Sequence, residues 1–348
     1  MLTSIQLIIF GCAKKKDNSS GNSPNGVSEI NQTVGSDGYY EGSFLVPSNG
    51  ISFLLSIFKD NNASIAFYSL TDPDGINILN KSSSTNLYYD ASGSPGNTYV
   101  SKAGYANVLV PQSPIFYAKG GKWKFKAFKN DSVKLYLRSG DLPSTPVIIV
   151  QPFITGSKWS ANDLSNALSI TSNIYSSNGV TLSIKPTISI SESLYAEVSG
   201  SFTDSKTSSL VSRGFTDCIN LFFIEDYTGS WSGILGNAAG MPGSMGIANS
   251  WNGVLISINA HASGAELDSQ LLGETAAHEM GHQIGLFHTS ESGGTVFDIL
   301  TDTVECSITR DNDSDGKISA EECEGYGADN VMFWTSWSSS SRSSGKKQ

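Results

Sequence analysis

Three of the four histidines in this chain fall within one short stretch, His278-Glu279-Met280-Gly281-His282-Gln283-Ile284-Gly285-Leu286-Phe287-His288. That spacing constrains the local fold strongly. The segment Glu266 to Leu286 reads as a helix, and helical residues four apart lie one above the other on the same face. His278 and His282 can then reach a single ion. Gly285 can adopt a positive φ, so the helix can end there and the chain can turn sharply. The turn brings His288 back as a third nitrogen donor. Zn²⁺ binds imidazole well and takes about four ligands in a tetrahedron. Three protein ligands leave one position for water, the pattern of a reactive site and not of a closed structural one. Glu279 stands beside the first ligand, placed to hold that water as general base and then acid. A bare HExxH also arises by accident on amphipathic helices, whereas the extended HExxHxxGxxH gives each fixed position a mechanical reason.

The extended pattern resembles that of the metzincin metallopeptidases. The resemblance implies a zinc-dependent peptidase acting on protein or peptide substrates, with His278, His282 and His288 on zinc and Glu279 as the catalytic residue. It also implies a methionine in a tight turn beneath the metal, downstream of the third histidine. Asn330-Val331-Met332-Phe333-Trp334 carries the candidate, Met332. Methionine equally fills irregular gaps in ordinary cores, and that reading stands beside the first. Some metzincins place a tyrosine two residues after the methionine as an extra ligand. Trp334 occupies that position here, so no such ligand is expected. Thr289 follows the third histidine, where astacin-like members have an acid and serralysin-like members a proline. The stretch HTSESGGTVFDILTDTVEC, from His288 to Cys306, looks more like the pappalysin-type branch or a bacterial relative of it. The resemblance covers residues 145–337 and is strongest over 274–334.

Between the third histidine and Met332 lies DNDSDGKISAEE, Asp311 to Glu322, which fits the twelve-residue EF-hand loop pattern. Asp311, Asp313 and Asp315 take positions 1, 3 and 5, and Gly316 takes the turn position. Lys317 would offer its backbone carbonyl, Ser319 sits at position 9, and Glu322 is the bidentate last ligand. Oxygen donors with this much charge select Ca²⁺ over zinc. The alternative is an acidic, solvated loop. No long amphipathic helix flanks the segment on both sides, so a lone structural calcium loop is expected, not a paired sensor. Cys306 and Cys323 bracket it, and a disulfide between them would close a short loop and restrain the site.

The chain opens MLTSIQLIIFGCAKKKDNSSGNS. Its apolar stretch ends in Ile9-Phe10-Gly11-Cys12 and resembles a relaxed bacterial lipobox, in which Cys12 becomes the lipidated first residue. A flexible polar tether follows. No basic residue precedes the apolar run, which is short for a signal peptide. A frayed terminus with an incidental cysteine is therefore the competing reading. No apolar run reaches the roughly 18 residues needed to span a bilayer, so any membrane association would come through the lipid anchor. A disulfide and a calcium site suit an oxidising, extracytoplasmic compartment, either the bacterial cell surface or secretion. Cys218 starts an apolar run and is expected to be a buried thiol. The net charge of -10 and the absence of a basic stripe argue against nucleic acid as a partner. Nothing in the sequence sets an oligomeric state.

The length of 348 residues gives room for two domains. Residues 1–12 form the signal-like segment and 13–34 a flexible linker. From 35 to 143 short alternating runs recur: Tyr39 to Val46, Ile51 to Phe58, Ala63 to Leu70, Lys122 to Phe128 and Lys134 to Arg138. Asp72-Pro73-Asp74-Gly75 is a strong turn signal. This pattern predicts an all-β sandwich as an accessory domain. Pro143 to Pro146 marks a boundary. Residues 144–337 form the metzincin-like α+β domain, a twisted mixed sheet with two main helices and a calcium-loop insertion at 306–323. Within it Val147 to Val150 reads as a buried strand, Ser160 to Ser177 as a helix, Val180 to Ile190 as a strand, Ile219 to Ile224 as a central strand and Gly253 to Ile258 as the strand before the histidine helix. The Gly-rich loop Trp231 to Asn252 should shape the rim of the site. Residues 338–348 are expected to be a disordered tail. His261, outside the motif, reads as a solvated loop histidine. A second function class fits the same chain: a surface adhesin that keeps a non-catalytic metal site for structure. The glutamate beside the water position argues for the peptidase, because a structural zinc site has no use for a base there.

Overall fold

A computed structural model describes residues 26–59, 63–80, 99–102, 104–111, 117–141, 143–216, 218–244, 249–298, 300, 303–338 and 341. The lipobox-like segment with Cys12 lies outside these residues. The chain divides between Pro146 and Val147 into two compact units, and the fold is mixed α and β.

The first unit is built from β1 (Gly26–Glu29), β2 (Gln32–Val34), β3 (Tyr40–Val46), β4 (Gly50–Phe58), β5 (Phe67–Thr71), β6 (Tyr99–Lys102), β7 (Tyr105–Val110), β8 (Gly121–Ala127) and β9 (Ser132–Ser139). They form two antiparallel sheets, ordered β1-β9-β4-β7-β6 and β2-β3-β8-β5. Strand β8 shows why: Trp123, Phe125 and Ala127 are buried while Lys122 and Lys124 are exposed, the period-two alternation of a half-buried strand. The inner faces of both sheets meet in one apolar core. Phe53 of the first sheet packs edge-on against Phe44 and Trp123 of the second, with ring centroids 5.0 and 4.9 Å apart. The Asp72 turn closes as its sequence suggests, with Gly75 N–H bonded to Asp72 O at 3.0 Å.

One expectation needs correction. The segment 13–34 is not all linker, because β1 and β2 lie within it. β1 pairs with β9 from Gly26↔Leu137 to Glu29↔Lys134, and β2 pairs with β3. Val27 and Val34 are exposed, so these edge strands are held by backbone pairing more than by side-chain burial. A polar Ser/Gly/Gln segment gives no hydrophobic signal for that kind of strand.

The second unit contains β10 (Val147–Thr155), α1 (Ser165–Ser177), β11 (Thr181–Ile184), β12 (Ile188–Ile190), β13 (Glu197–Val198), α2 (Ser205–Val211), β14 (Ile219–Ile224), β15 (Asp226–Tyr227), β16 (Gly236–Ala238), β17 (Val254–Ser257), β18 (Ala262–Ser263), β19 (Glu266–Leu267) and α3 (Ser269–Gln283). Its main sheet runs β11-β10-β14-β17-β16, parallel except for the last strand. β14 and β17 are buried along their whole length, as the middle of a covered parallel sheet requires. The single strand expected over Val180 to Ile190 is two. β11 and β12 both pair with β10 and are separated by a break at Pro186, since proline has no N–H to give the ladder. Gln151 Nε2 fills the gap by donating to Pro186 O at 2.9 Å.

The helices also start later than the sequence suggests. Ser160 N–H and Oγ–H both donate to Asp163 Oδ2 at 2.8 Å, but they close a turn ahead of α1. Glu266 and Leu267 pair with Ala262 and Ser263, and α3 begins after Asp268, whose carboxylate accepts Leu271 N–H at 2.9 Å. α1 and α3 lie side by side. Thr171 Oγ1 donates to Gly273 O at 2.9 Å and Tyr175 OH to Ala277 O at 3.2 Å. A Cβ on Gly273 would stand 2.6 Å from Ala167 O, so the helices meet where one has no side chain. Cys218, expected to be buried, is only half-buried, with Sγ 3.5 Å from Asn220 Oδ1.

Candidate metal centre

Helix α3 ends as its glycine suggests. Gly285 takes φ +104°, and Leu286 N–H bonds back to Gly281 O at 2.9 Å. The chain then reverses and carries His288 toward the helix. His288 Nε2 lies 3.2 Å from His278 Nε2 and 3.1 Å from His282 Nε2. Zn–N bonds of about 2.0–2.1 Å in a tetrahedron place ligand nitrogens about 3.3 Å apart, so the triad fits such an ion. The outer nitrogens make the same point. His278 Nδ1–H donates to Val331 O and His282 Nδ1–H to Leu286 O, both at 2.7 Å, and His288 Nδ1–H to Glu291 Oε1 at 3.0 Å. Each bond leaves the Nε2 lone pair free to face the shared point. Burial, helped by the neighbouring His288, pulls His278 down to about 4. Burial first, then the other two histidines, lowers His282 well below the usual imidazole range. Both are neutral donors at physiological pH.

Glu279 is buried under the edge strand of the sheet. A Cβ on Gly236 would stand 2.6 Å from Glu279 Cγ, so β16 can cover this side chain only because it carries a glycine there. Burial raises the Glu279 carboxyl to about 8, partly offset by a hydrogen bond from the Ala238 backbone. The loop Trp231 to Asn252 therefore contributes a strand and a donor to the site. Sequence reading left its pairing strand unassigned, because three residues of Gly, Asn and Ala show no β pattern.

Met332 is buried beneath α3, and a Cβ on Gly281 would overlap its Sδ. The residues around it form a turn. Asn330 Oδ1 accepts Met332 N–H at 2.9 Å, and Phe333 N–H reaches Asn330 O at 2.9 Å. The same turn supplies Val331 O to His278 and Met332 O to Thr289 N–H at 3.0 Å. Trp334 donates its Nε1–H to Ile318 O at 2.7 Å.

The carboxylates of Asp311, Asp313 and Asp315 come together, with one oxygen of each within 4.8 Å of the others. Gly316, at φ +83°, donates its N–H to Asp311 Oδ2 at 2.9 Å. Asp311 Oδ1 is buried with no hydrogen-bond partner. Lys317, Ser319 and Glu322 follow on the same loop. Glu322 makes a reciprocal cap with Ser319: its Oε2 accepts Ser319 N–H at 2.8 Å, and its N–H reaches Ser319 Oγ at 3.3 Å. Its other oxygen accepts Asn312 N–H at 2.6 Å. Cys306 and Cys323 are joined by a disulfide with Cα atoms 5.8 Å apart. With Ile318, Ala320, Ala328, Phe333 and Trp337 they form a small apolar core.

Two further expectations change. His261 is buried, not solvated: its Nδ1 meets Ser257 O at 2.6 Å and its Nε2 meets Thr275 Oγ1 at 2.8 Å, so it ties β17 to α3. The expected disordered tail starts too early at 338. Ser338 N–H and Ser341 Oγ–H both bind Glu321 Oε1, at 2.9 and 2.7 Å. Burial works upward on that carboxyl, but these bonds outweigh it and hold it at about 2. Sequence reading missed Glu291 altogether. Its only signal was its place three residues after the third histidine.

No family model matches this chain. It is 31% identical over 127 residues to Extracellular metalloprotease 1 of Coccidioides posadasii (strain C735), a stretch that is 36% of this chain and 44% of that protein. The chain thus spans less than half the length of the relative it matches. The crystal structure of protein YXIM from Bacillus subtilis aligns over 91% of this chain and 73% of that one, at 8% identity and a TM-score of 0.18. A score that low carries no argument.

Proposed function

We propose that this chain is a zinc-dependent metalloendopeptidase of the metzincin type, close to the pappalysin-like branch, and that it works outside the cytoplasm as a secreted or lipid-anchored protein. The observation that carries the reading is the convergence of three Nε2 atoms at tetrahedral ligand spacing, each with its Nδ1 proton engaged. The 31% likeness to an extracellular metalloprotease supports the same reading. Zn²⁺ held by His278, His282 and His288 would supply Lewis acidity to a water and to the scissile carbonyl. Glu279 takes the proton from that water and passes it to the departing amine. Its carboxyl sits at about 8 without the ion, and a divalent cation beside it lowers that value. Base function therefore belongs to the loaded protein. The edge strand β16 runs antiparallel to β17, and it is the strand we assign to pair with the substrate backbone, giving affinity with little sequence choice. Asp311, Asp313, Asp315, Lys317 O, Ser319 and Glu322 would hold a structural Ca²⁺. The first unit is an accessory β-sandwich. Met332 forms the turn beneath the metal.

The test is cleavage of a mixed peptide library by the wild type, the chelated protein and Glu279→Gln. The variant should keep its zinc and lose about 10²–10⁴-fold in turnover. Zinc retained with undiminished cleavage would remove Glu279 from the chemistry. A wild type that binds zinc, cleaves nothing and still binds a surface ligand would favour the adhesin.

A further inference from the structure

His288 differs from its two partners. His278 and His282 are fixed by the helix that carries them, and their Nδ1 protons go to neutral backbone carbonyls. His288 lies beyond the Gly285 reversal, outside the helix, and its Nδ1 proton goes to a carboxylate, Glu291 Oε1. The backbone that presents Glu291 is itself held. Glu291 N–H bonds to Val296 O at 2.9 Å and Gly294 N–H to Glu291 O at 2.8 Å, closing a tight turn. That turn is pinned from outside at three points. Ile308 N–H reaches Gly294 O, Ile318 N–H reaches Ser292 O, and Cys306 N–H reaches Ser290 Oγ, each at 2.8 Å. All three donors belong to the disulfide-closed segment or its near neighbours.

We propose that Glu291 is a positioning residue that orients His288 and fixes its tautomer as a metal ligand, a carboxylate standing behind the imidazole. The proposal rests on the zinc reading above. A carboxylate behind an imidazole fixes its tautomer and ring orientation and pushes electron density toward the metal-facing nitrogen. The turn at Ser290 to Val296 then transmits the rigidity of the disulfide-closed segment to the one ligand that the helix does not hold. Glu291 does not touch the reacting atoms.

The experiment uses the full chain. Zinc affinity is measured by competition with a chromophoric chelator for the wild type, Glu291→Gln and Glu291→Ala. Visible spectra are taken after cobalt loading, and thermal melts of the metal-free forms are run alongside. Glu291→Ala should bind zinc about 10–100-fold more weakly, and its cobalt bands should shift. Glu291→Gln keeps an acceptor but no charge, and should lose less. The metal-free variants should melt with the metal-free wild type. An Ala variant within twofold of wild-type affinity overturns the proposal. So does a metal-free melt lowered enough to account for the weaker binding, which would mark a merely structural residue. A wild type that takes up no zinc overturns the metal-site reading itself, and is recognised before any variant is compared.

Discussion

A histidine that is to bind a cation must reach the folded state without its proton, and the packing around α3 enforces this. Burial takes His278 to about 4 and His282 lower still, while the unfolded chain protonates histidine near about 6.5. Between those values the unfolded state of the metal-free protein binds more protons than the folded state. The histidines' contribution to stability is therefore complete above about 6.5 and is lost as pH falls toward 4, while Glu279, raised to about 8 by burial, works in the opposite direction over the same window. His278 keeps a partly exposed edge, so its share is at most about 3 kcal/mol. Thermal melts of the chelated Glu279→Gln protein, which lacks the opposing carboxyl, should show Tm falling through this window as pH drops. A flat Tm there would mean that the imidazoles are already charged in the fold. The same residues show what the primary structure can declare. His278, Glu279, His282 and His288 were legible because one helical repeat and one glycine dictate their geometry. Glu291 and the Ala238 N–H were not, because a partner reached across a turn or from a sheet edge leaves no periodic trace.

At the scale of elements, the segment between His288 and Met332 is an excursion organised by its own small core. Cys306 and Cys323 close a loop with a separation of 17 residues, and a loop of that size contributes roughly 3 kcal/mol by restricting the unfolded chain. Replacing both cysteines with serine should lower the stability of the second unit by about that amount, read from denaturant or thermal unfolding. An unchanged midpoint would mean that the Ile318, Phe333 and Trp337 packing suffices alone. Legibility varied from element to element. β14 matched the run Ile219 to Ile224 because a strand buried on both faces must be apolar throughout. β1, β2 and β16 went unseen because edge strands are secured by main-chain bonds that any residue can make. The split between β11 and β12 was written in Pro186, but an alternating pattern on both sides of it masked the break.

At the scale of the whole chain, each unit closes its own core, one from Phe44, Phe53 and Trp123 and the other around β14, β17 and α3. A ligand that binds one folded unit stabilises the fold of that unit. Chelation should accordingly lower the calorimetric transition that belongs to residues from Val147 onward. A transition there that does not move on chelation would mean that the second unit holds no stabilising ion. The order of parts along the chain has a further consequence. His278 finds the acceptor for its Nδ1 proton only at Val331, and the carboxylate behind His288 is presented by a turn that Ile308 and Ile318 must first brace. A polypeptide is made from its N-terminus and its domains tend to fold in that order. The β unit can be complete while the metal ligands are still waiting for their supports. A chain that ends before Val331 lacks the acceptor for His278 Nδ1, so the C-terminal stretch is as much a part of the site as the histidine helix itself.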